Sequence, residues 1–188
     1  MQILGAIIAG GKSSRMGRDK ALMDFQGRPL ISVVAERLRP QVDWLVFNAN
    51  GDATRFAHLG CEVVPDRYDM HTPLAGLHAA LTFGAEQGFD AVLTAPCDTP
   101  FLPLDLVARM KNAAPAIAMS GRQDHYLTGL WPTDLLALLE LELKSGLQRV
   151  MDFAALAKVH RVEWPVTPQD PFANLNTPKE FKSAVDKS

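Results

Sequence analysis

The sequence predicts an α/β fold: a mostly parallel central sheet flanked by helices on both faces, in a single domain spanning residues 1–188. Short apolar runs alternate with amphipathic stretches of helical length, which is the pattern of a parallel sheet covered on both sides. A chain of 188 residues can bury a good core in one domain. No repeat, low-complexity segment or linker divides it.

Taken in order, residues 3–9 form the first strand, an unbroken apolar run halted by Gly10-Gly11. Residues 21–25 and the turn Gln26-Gly27-Arg28-Pro29 lead into a helix over 30–39 that Pro40 ends. Trp44-Leu45-Val46-Phe47 is a second strand, ending at Asn48. A short helix around 53–58 and the strand Cys61-Glu62-Val63-Val64 follow, with Pro65-Asp66 at its carboxyl end. Pro73 opens a helix that runs to about residue 87, since proline suits the first helical turn. Residues 90–95 are the next strand, stopped by Pro96-Cys97-Asp98-Thr99-Pro100, and a helix starts after Pro103 and runs to about residue 113. Residues 116–119 and 126–131 read as strands joined by a polar loop that holds Gly121 and His125. Helices near 133–144 and 147–157, a strand over 159–163 and a last helix from Pro178 complete the chain.

Composition narrows the function. A net charge of −2 argues against a general binder of nucleic acid or membranes, because neutralising a polyanion needs a basic surface. No apolar stretch approaches the ~18 residues of a membrane span, and the first apolar run lacks the basic leader of a signal peptide. Cys61 and Cys97 form no Cys-x-x-Cys pair, so neither zinc nor a disulfide framework is signalled and a reducing cytoplasm is expected. The five histidines show no metal-ligand spacing, and no Ser-His-Asp or Cys-His nucleophile set is present.

The basic character is local. Gly10-Gly11 is followed by Lys12, Arg15, Arg18 and Lys20, with Ser13 and Ser14 between them. Glycine lets backbone approach a ligand closely, and successive N–H groups in such a turn make an anion-binding nest. A strand-to-helix glycine turn with a solvated basic face is the alternative; the density of cations favours a phosphate cradle. It is not a P-loop, since Ala6 stands where that motif needs its first glycine, and Gly10, Gly11 and Gly17 miss the Gly-x-Gly-x-x-Gly spacing. The glycines and charges of 11–19 supply little packing, so a mobile loop is expected there.

Ligands of open α/β sheets bind outside the carboxyl ends of the strands. Four predicted strands end at Gly10, Asn48, Asp66 and Asp98, a compact polar set for one nucleotide. Asp98, stiffened by flanking prolines, can hold Mg²⁺ against a triphosphate or cap its own turn. Asn48 and Asp66 are each either ligands or turn formers. Cys97 reads as a small packed residue. Lys20 can neutralise phosphate charge and Arg15 can do so with a fork of donors; Asp19 supports Lys20 or caps the next element.

Residues 8–20 resemble the nucleotidyltransferase signature Leu-Ala-Gly-Gly-x-Ser-x-Arg-Met-Gly-x-Asp-Lys, in the form carried by the molybdenum cofactor guanylyltransferase family. Only Ile8 departs from it, conservatively. Pro73-Leu74-Ala75-Gly76-Leu77, Pro96-Cys97-Asp98-Thr99-Pro100 and Asn174-Leu175-Asn176-Thr177-Pro178 resemble further segments of that family, and the likeness runs from residue 3 to about 180. Thr72 departs, standing where the family has glycine.

The resemblance implies a Rossmann-like nucleotidyltransferase fold. It also implies transfer of GMP from Mg·GTP to the terminal phosphate of molybdopterin or its molybdenum form, releasing pyrophosphate. On that basis Ile8, Ala9, Gly10, Gly11, Asn48, Asp66 and Gly76 face the guanine nucleotide, Arg15 and Lys20 its phosphates, and Asp98 the Mg²⁺. Asn174 and Asn176 serve the pterin side or approach the metal, and one of Asn176 and Thr177 caps the last helix. Arg149 meets the acceptor's phosphate or caps a surface helix. The implied partners are GTP, molybdopterin and, transiently, other molybdenum cofactor proteins. A cytidylyl- or sugar-phosphate nucleotidyltransferase, or a nucleotide-binding protein without catalysis, are the alternatives. Gly10 and residues 73–76 speak against the first, and the presence of both Lys20 and Asp98 speaks against the second, because binding alone would not require a metal carboxylate.

Overall fold

The structure is a computed structural model and describes residues 1–10, 19–70 and 72–175. The expectations placed on Gly11, Lys12, Arg15, Arg18 and the rest of 11–18, on Asn176 and Thr177, and on a last helix from Pro178 lie outside the described residues.

The first strand, β1 (Ile3–Ile8), is buried along its whole length. Side chains alternate across a strand, and both faces of this one are packed. Ile3 and Ile7 join the core that contains Ile31, Val34 and Leu38, whereas Leu4, Ala6 and Ile8 join the core that contains Leu74, Leu77 and Leu81. A central parallel strand therefore reads as a continuous apolar run.

The remaining elements are the small hairpin β2 (Asp24–Phe25) and β3 (Arg28–Pro29), then α1 (Leu30–Leu38), β4 (Trp44–Asn48), β5 (Glu62–Val64), α2 (Pro73–Glu86) and β6 (Ala91–Pro96). After them come α3 (Leu106–Met110), β7 (Ala116–Ser120), β8 (Gln123–Pro132), α4 (Leu136–Lys144), α5 (Val150–Leu156) and β9 (His160–Trp164). The seven-stranded sheet has the order β5-β4-β1-β6-β8-β7-β9. Strands β5, β4, β1 and β6 run parallel, and only β8 is antiparallel to both of its neighbours. Helices α1 and α3 supply one core and α2, α4 and α5 the other, so both faces of the sheet are covered. Among the described residues no helix is long and apolar enough to cross a membrane.

The order of the strands places the site. The chain steps outward from β1 through β4 to β5 and then returns to β6 on the opposite side of β1. At that reversal the connections leave in opposite directions and a crevice opens beyond the carboxyl ends of β1 and β6.

Some expected boundaries move. The helix expected up to residue 113 is the short α3, that expected over 147–157 is α5, and residues 53–58 wind as a 3-10 helix, Ala53–Leu59. His125 is in β8 and not in a loop. Gly121 (φ 51°) and Arg122 (φ 67°) both take left-handed backbone, the twist that a two-residue hairpin turn needs. So β7 passes directly into β8 with Ser120 opposite Gln123. The pairing then jumps from Ala118 with His125 to Ile117 with Gly129. Residues 126–128 are thereby bulged out of the ladder beside the end of β6, and bulges of this kind re-aim side chains at the rims of sites.

Candidate active site

Three strand ends build one arm of the site. Asn48, the last residue of β4, is fully buried. Its Nδ2 donates to the Val64 carbonyl at 3.1 Å and to Asp66 Oδ1 at 2.8 Å. Asn50 Nδ2 donates to Asp66 Oδ2 at 2.7 Å, and the Asp66 N–H returns a bond to Asn50 Oδ1 at 2.9 Å. Two amides thus hold one carboxylate, and each of its oxygens keeps a free lone-pair direction. Gly10 lies directly above this group: a Cβ there would meet Asn48 Oδ1 at 3.4 Å and Asp66 Oδ2 at 3.7 Å.

Gly76, in the first turns of α2, closes the arm from the other side. A Cβ on it would fall 2.4 Å from Asn48 Oδ1 and 3.0 Å from Ile8 Cγ2. Asn48 cannot swing away without losing both Nδ2 bonds, so glycine is required for the helix to approach the strand ends this closely. Gly76→Ala should cost about 1–3 kcal/mol of stability and weaken nucleotide binding by displacing Asn48. Denaturant unfolding and a GTP titration check this, and unchanged values in both would contradict the packing argument.

Lys20 and Asp98 stand at the centre. Asp19 Oδ1 accepts from the Ala21 N–H at 3.1 Å and so caps the 3-10 turn Lys20–Leu22, while Arg55 Nε lies 3.0 Å from Asp19 Oδ2. That turn delivers Lys20 Nζ to Asp98 Oδ2 at 2.5 Å, with the side chains 17% and 15% exposed. Asp98 Oδ1 is buried and has no hydrogen-bond partner among the described residues. The Asp98 carbonyl accepts from the Leu175 N–H at 3.0 Å, which straps the segment carrying Phe172 and Asn174 across the site. Burial pushes the Cys97 thiol up to about 12, the neighbouring Asp98 carboxylate adding to the effect; such a thiol is inert at neutral pH.

Ile8, Ala9, Gly10, Lys20, Asp98 and Asn174 all line one cleft of about 430 Å³. The cleft continues past β6 onto Gln123, His125 and Thr128 of β8 and ends against Phe172. Asp98 therefore sits between two arms, one at Gly10 with the Asn48–Asp66–Asn50 group behind it, the other on β8. A basic side chain and an open carboxylate oxygen at their junction suit a phosphate chain, with one ring system on each side.

The chain matches the MobA-like NTP transferase domain model over residues 5–162. It is 44% identical to a molybdenum cofactor guanylyltransferase of Cereibacter sphaeroides, over 98% of this chain and 96% of that protein. The chain belongs to this guanylyltransferase family and is a nucleotidyltransferase. The crystal structure of molybdopterin-guanine dinucleotide biosynthesis protein A from Archaeoglobus fulgidus superposes with a TM-score of 0.71 at 23% identity, covering 98% of this chain and 97% of that one. A Mycobacterium tuberculosis protein solved in complex with manganese gives 0.70 at 15% identity over the full length of both chains. At these identities the likeness shows a shared fold.

In this nucleotidyltransferase the departure at Thr72 needs no glycine: its φ of −130° and ψ of 152° are ordinary extended backbone at the N-cap of α2. Arg149 is at the N-cap of α5 and pairs with Asp152 at 2.7 Å, exposed on the surface. Sequence reasoning missed Asn50, whose role was legible only as a second amide two residues beyond Asn48 at a strand end. It also missed the part of the cleft that lies on β8, for which no motif gives a signal.

Proposed function

We propose that residues 1–188 act as one nucleotidyltransferase domain that moves GMP from GTP to the terminal phosphate of molybdopterin and releases pyrophosphate. The observation that carries the reading is the Lys20–Asp98 pair, set at 2.5 Å between the two arms of one cleft.

In the first arm Gly10 lets the base lie close to the backbone, and the Asp66 carboxylate takes the two adjacent N–H donors of guanine, N1–H and N2–H. Such a forked contact is specific because cytosine presents an acceptor where guanine presents its second donor. Ile8 and Ala9 provide the apolar wall, and Asn48 and Asn50 hold the carboxylate in place, with Gly76 packed against Asn48. Lys20 carries the phosphates. In the second arm Asn174 faces the acceptor.

The open Asp98 Oδ1 fits a hard divalent cation. Among the described residues no group of three His, Cys, Asp or Glu side chains could hold a metal. Asp98 would thus bind it together with phosphate and water oxygens, the usual environment of Mg²⁺. When bound, Mg²⁺ would draw charge from the triphosphate. An oxygen of the acceptor phosphate forms the new bond to the α-phosphorus, and the bond from that phosphorus to the pyrophosphate oxygen breaks. The protein contributes alignment and positive charge, which is how phosphoryl-type transfers are generally accelerated. A protein nucleophile is not needed, in keeping with the inert Cys97. Both cysteines are free, which supports a cytoplasmic setting, where other molybdenum cofactor proteins would supply and receive the substrate and product.

Competition among nucleotides tests this reading. With Mg²⁺ and molybdopterin, GTP should yield dinucleotide and pyrophosphate while CTP and ATP should not. Equal use of CTP would remove the base assignment, and tight GTP binding without product would favour a nucleotide-binding protein.

A further inference from the structure

The second arm contains a linked set of side chains to which the transfer chemistry assigns no part. Ser120 Oγ donates to Asp170 Oδ1 at 2.8 Å and lies 2.7 Å from His125 Nε2. A hydroxyl has one proton, and a carboxylate can only accept. The serine proton is therefore committed to Asp170, and the bond to the imidazole must run from Nε2–H to Ser120 Oγ. A neutral His125 then has a bare Nδ1.

The surroundings keep that tautomer in place. Asp170 Oδ1 also accepts from the Phe172 N–H at 3.0 Å, which ties the relay to the strap over the cleft. The Phe172 ring lies 4.7 Å from the imidazole at 35° and fixes its plane. Burial lowers the affinity of His125 for a second proton, against the opposing pull of Asp170 and Asp124. Asp124 is itself engaged by Arg161 Nε at 2.9 Å and by the Tyr126 hydroxyl at 2.9 Å. Among the described residues Nδ1 has no hydrogen-bond partner, and His125, only part-buried, lines the cleft, where a ligand can meet it.

The position of β8 indicates what it would meet. Asp98 follows β6, the nucleotide arm lies on the β1 side of β6, and His125 lies on the other side. With the reacting phosphates at Asp98, the far end of the acceptor reaches β8. We propose that His125 is the residue that recognises the acceptor's ring, its Nδ1 accepting an N–H donor from the pyrimidine edge of a pterin, with Ser120 and Asp170 as positioning residues. This rests on the acceptor being molybdopterin.

Nitrogen-15 NMR of the histidine rings in the wild-type protein should show His125 as the Nε2–H tautomer, with its Nδ1 signal moving on titration with 6-hydroxymethylpterin. The Nδ1–H tautomer, or no movement, would overturn the proposal. In turnover, His125→Phe should raise KM for molybdopterin about tenfold, the value of one hydrogen bond, and leave KM for GTP unchanged. His125→Asn, which restores an acceptor near the place of Nδ1, should recover most of the loss. An unchanged KM for molybdopterin, or an equal rise for GTP, would contradict it. Ser120→Ala should release the tautomer, visible in the same spectrum even if His125→Phe fails to fold. If the wild-type protein makes no dinucleotide, the function proposed above falls, while the spectrum and the pterin titration still decide the role of His125.

Discussion

Asp98→Asn should lower guanylyl transfer by about a hundredfold to a thousandfold, the range for removing one preorganised electrostatic group from an active site. The substitution is nearly isosteric, and the neutral amide oxygen can still accept from Lys20. The Leu175 N–H bond goes to the Asp98 backbone carbonyl and is untouched, so the strap over the cleft should stay in place and the variant should fold. What disappears is the negative charge on Oδ1, the buried oxygen that has no partner among the described residues. Steady-state pyrophosphate release measures the loss and circular dichroism the fold. Full activity in a folded Asp98→Asn protein would remove Asp98 from the mechanism.

Asp66→Asn should act on binding and not on the chemical step. Both carboxylate oxygens accept from amides, Oδ1 from Asn48 at 2.8 Å and Oδ2 from Asn50 at 2.7 Å. An asparagine has one acceptor, so one of these contacts becomes two facing NH₂ groups, and guanine loses one of its two acceptors. Losing one forked base contact is worth about 1–3 kcal/mol, or roughly 5-fold to 150-fold in KM for GTP. The preference for GTP over other nucleotides should fall with it, while kcat at saturating GTP stays near the wild-type value. A reduced kcat with unchanged KM would place Asp66 outside the base contact.

The parallel half of the molecule was legible in the sequence because its strands are buried on both faces and read as continuous apolar runs. β1 and β6 are of this type, and the polar residues just beyond them mark the crevice without need of coordinates. The antiparallel half was less legible. Its geometry depends on left-handed backbone at Arg122, a conformation that arginine does not advertise, so the sequence predicts β8 three residues late and His125 in a loop. The reason for Gly76 was likewise hidden. Resemblance marked the residue, but only the packing of α2 on Asn48 shows why a methyl group cannot be accommodated. The relay from His125 through Ser120 to Asp170 spans 50 residues between its last two members, a separation at which sequence pattern has nothing to say about contact.

In the proposed reaction the acceptor's own phosphate attacks the α-phosphorus of GTP held beside Lys20 and Asp98. Following the phosphates of GTP labelled separately at the α and γ positions, with molybdopterin as acceptor, tests it most directly. The α label should appear wholly in the dinucleotide and the γ label wholly in pyrophosphate, with no label covalently attached to the protein at any time. An α label trapped on the protein, or a γ label released as inorganic phosphate, would contradict it.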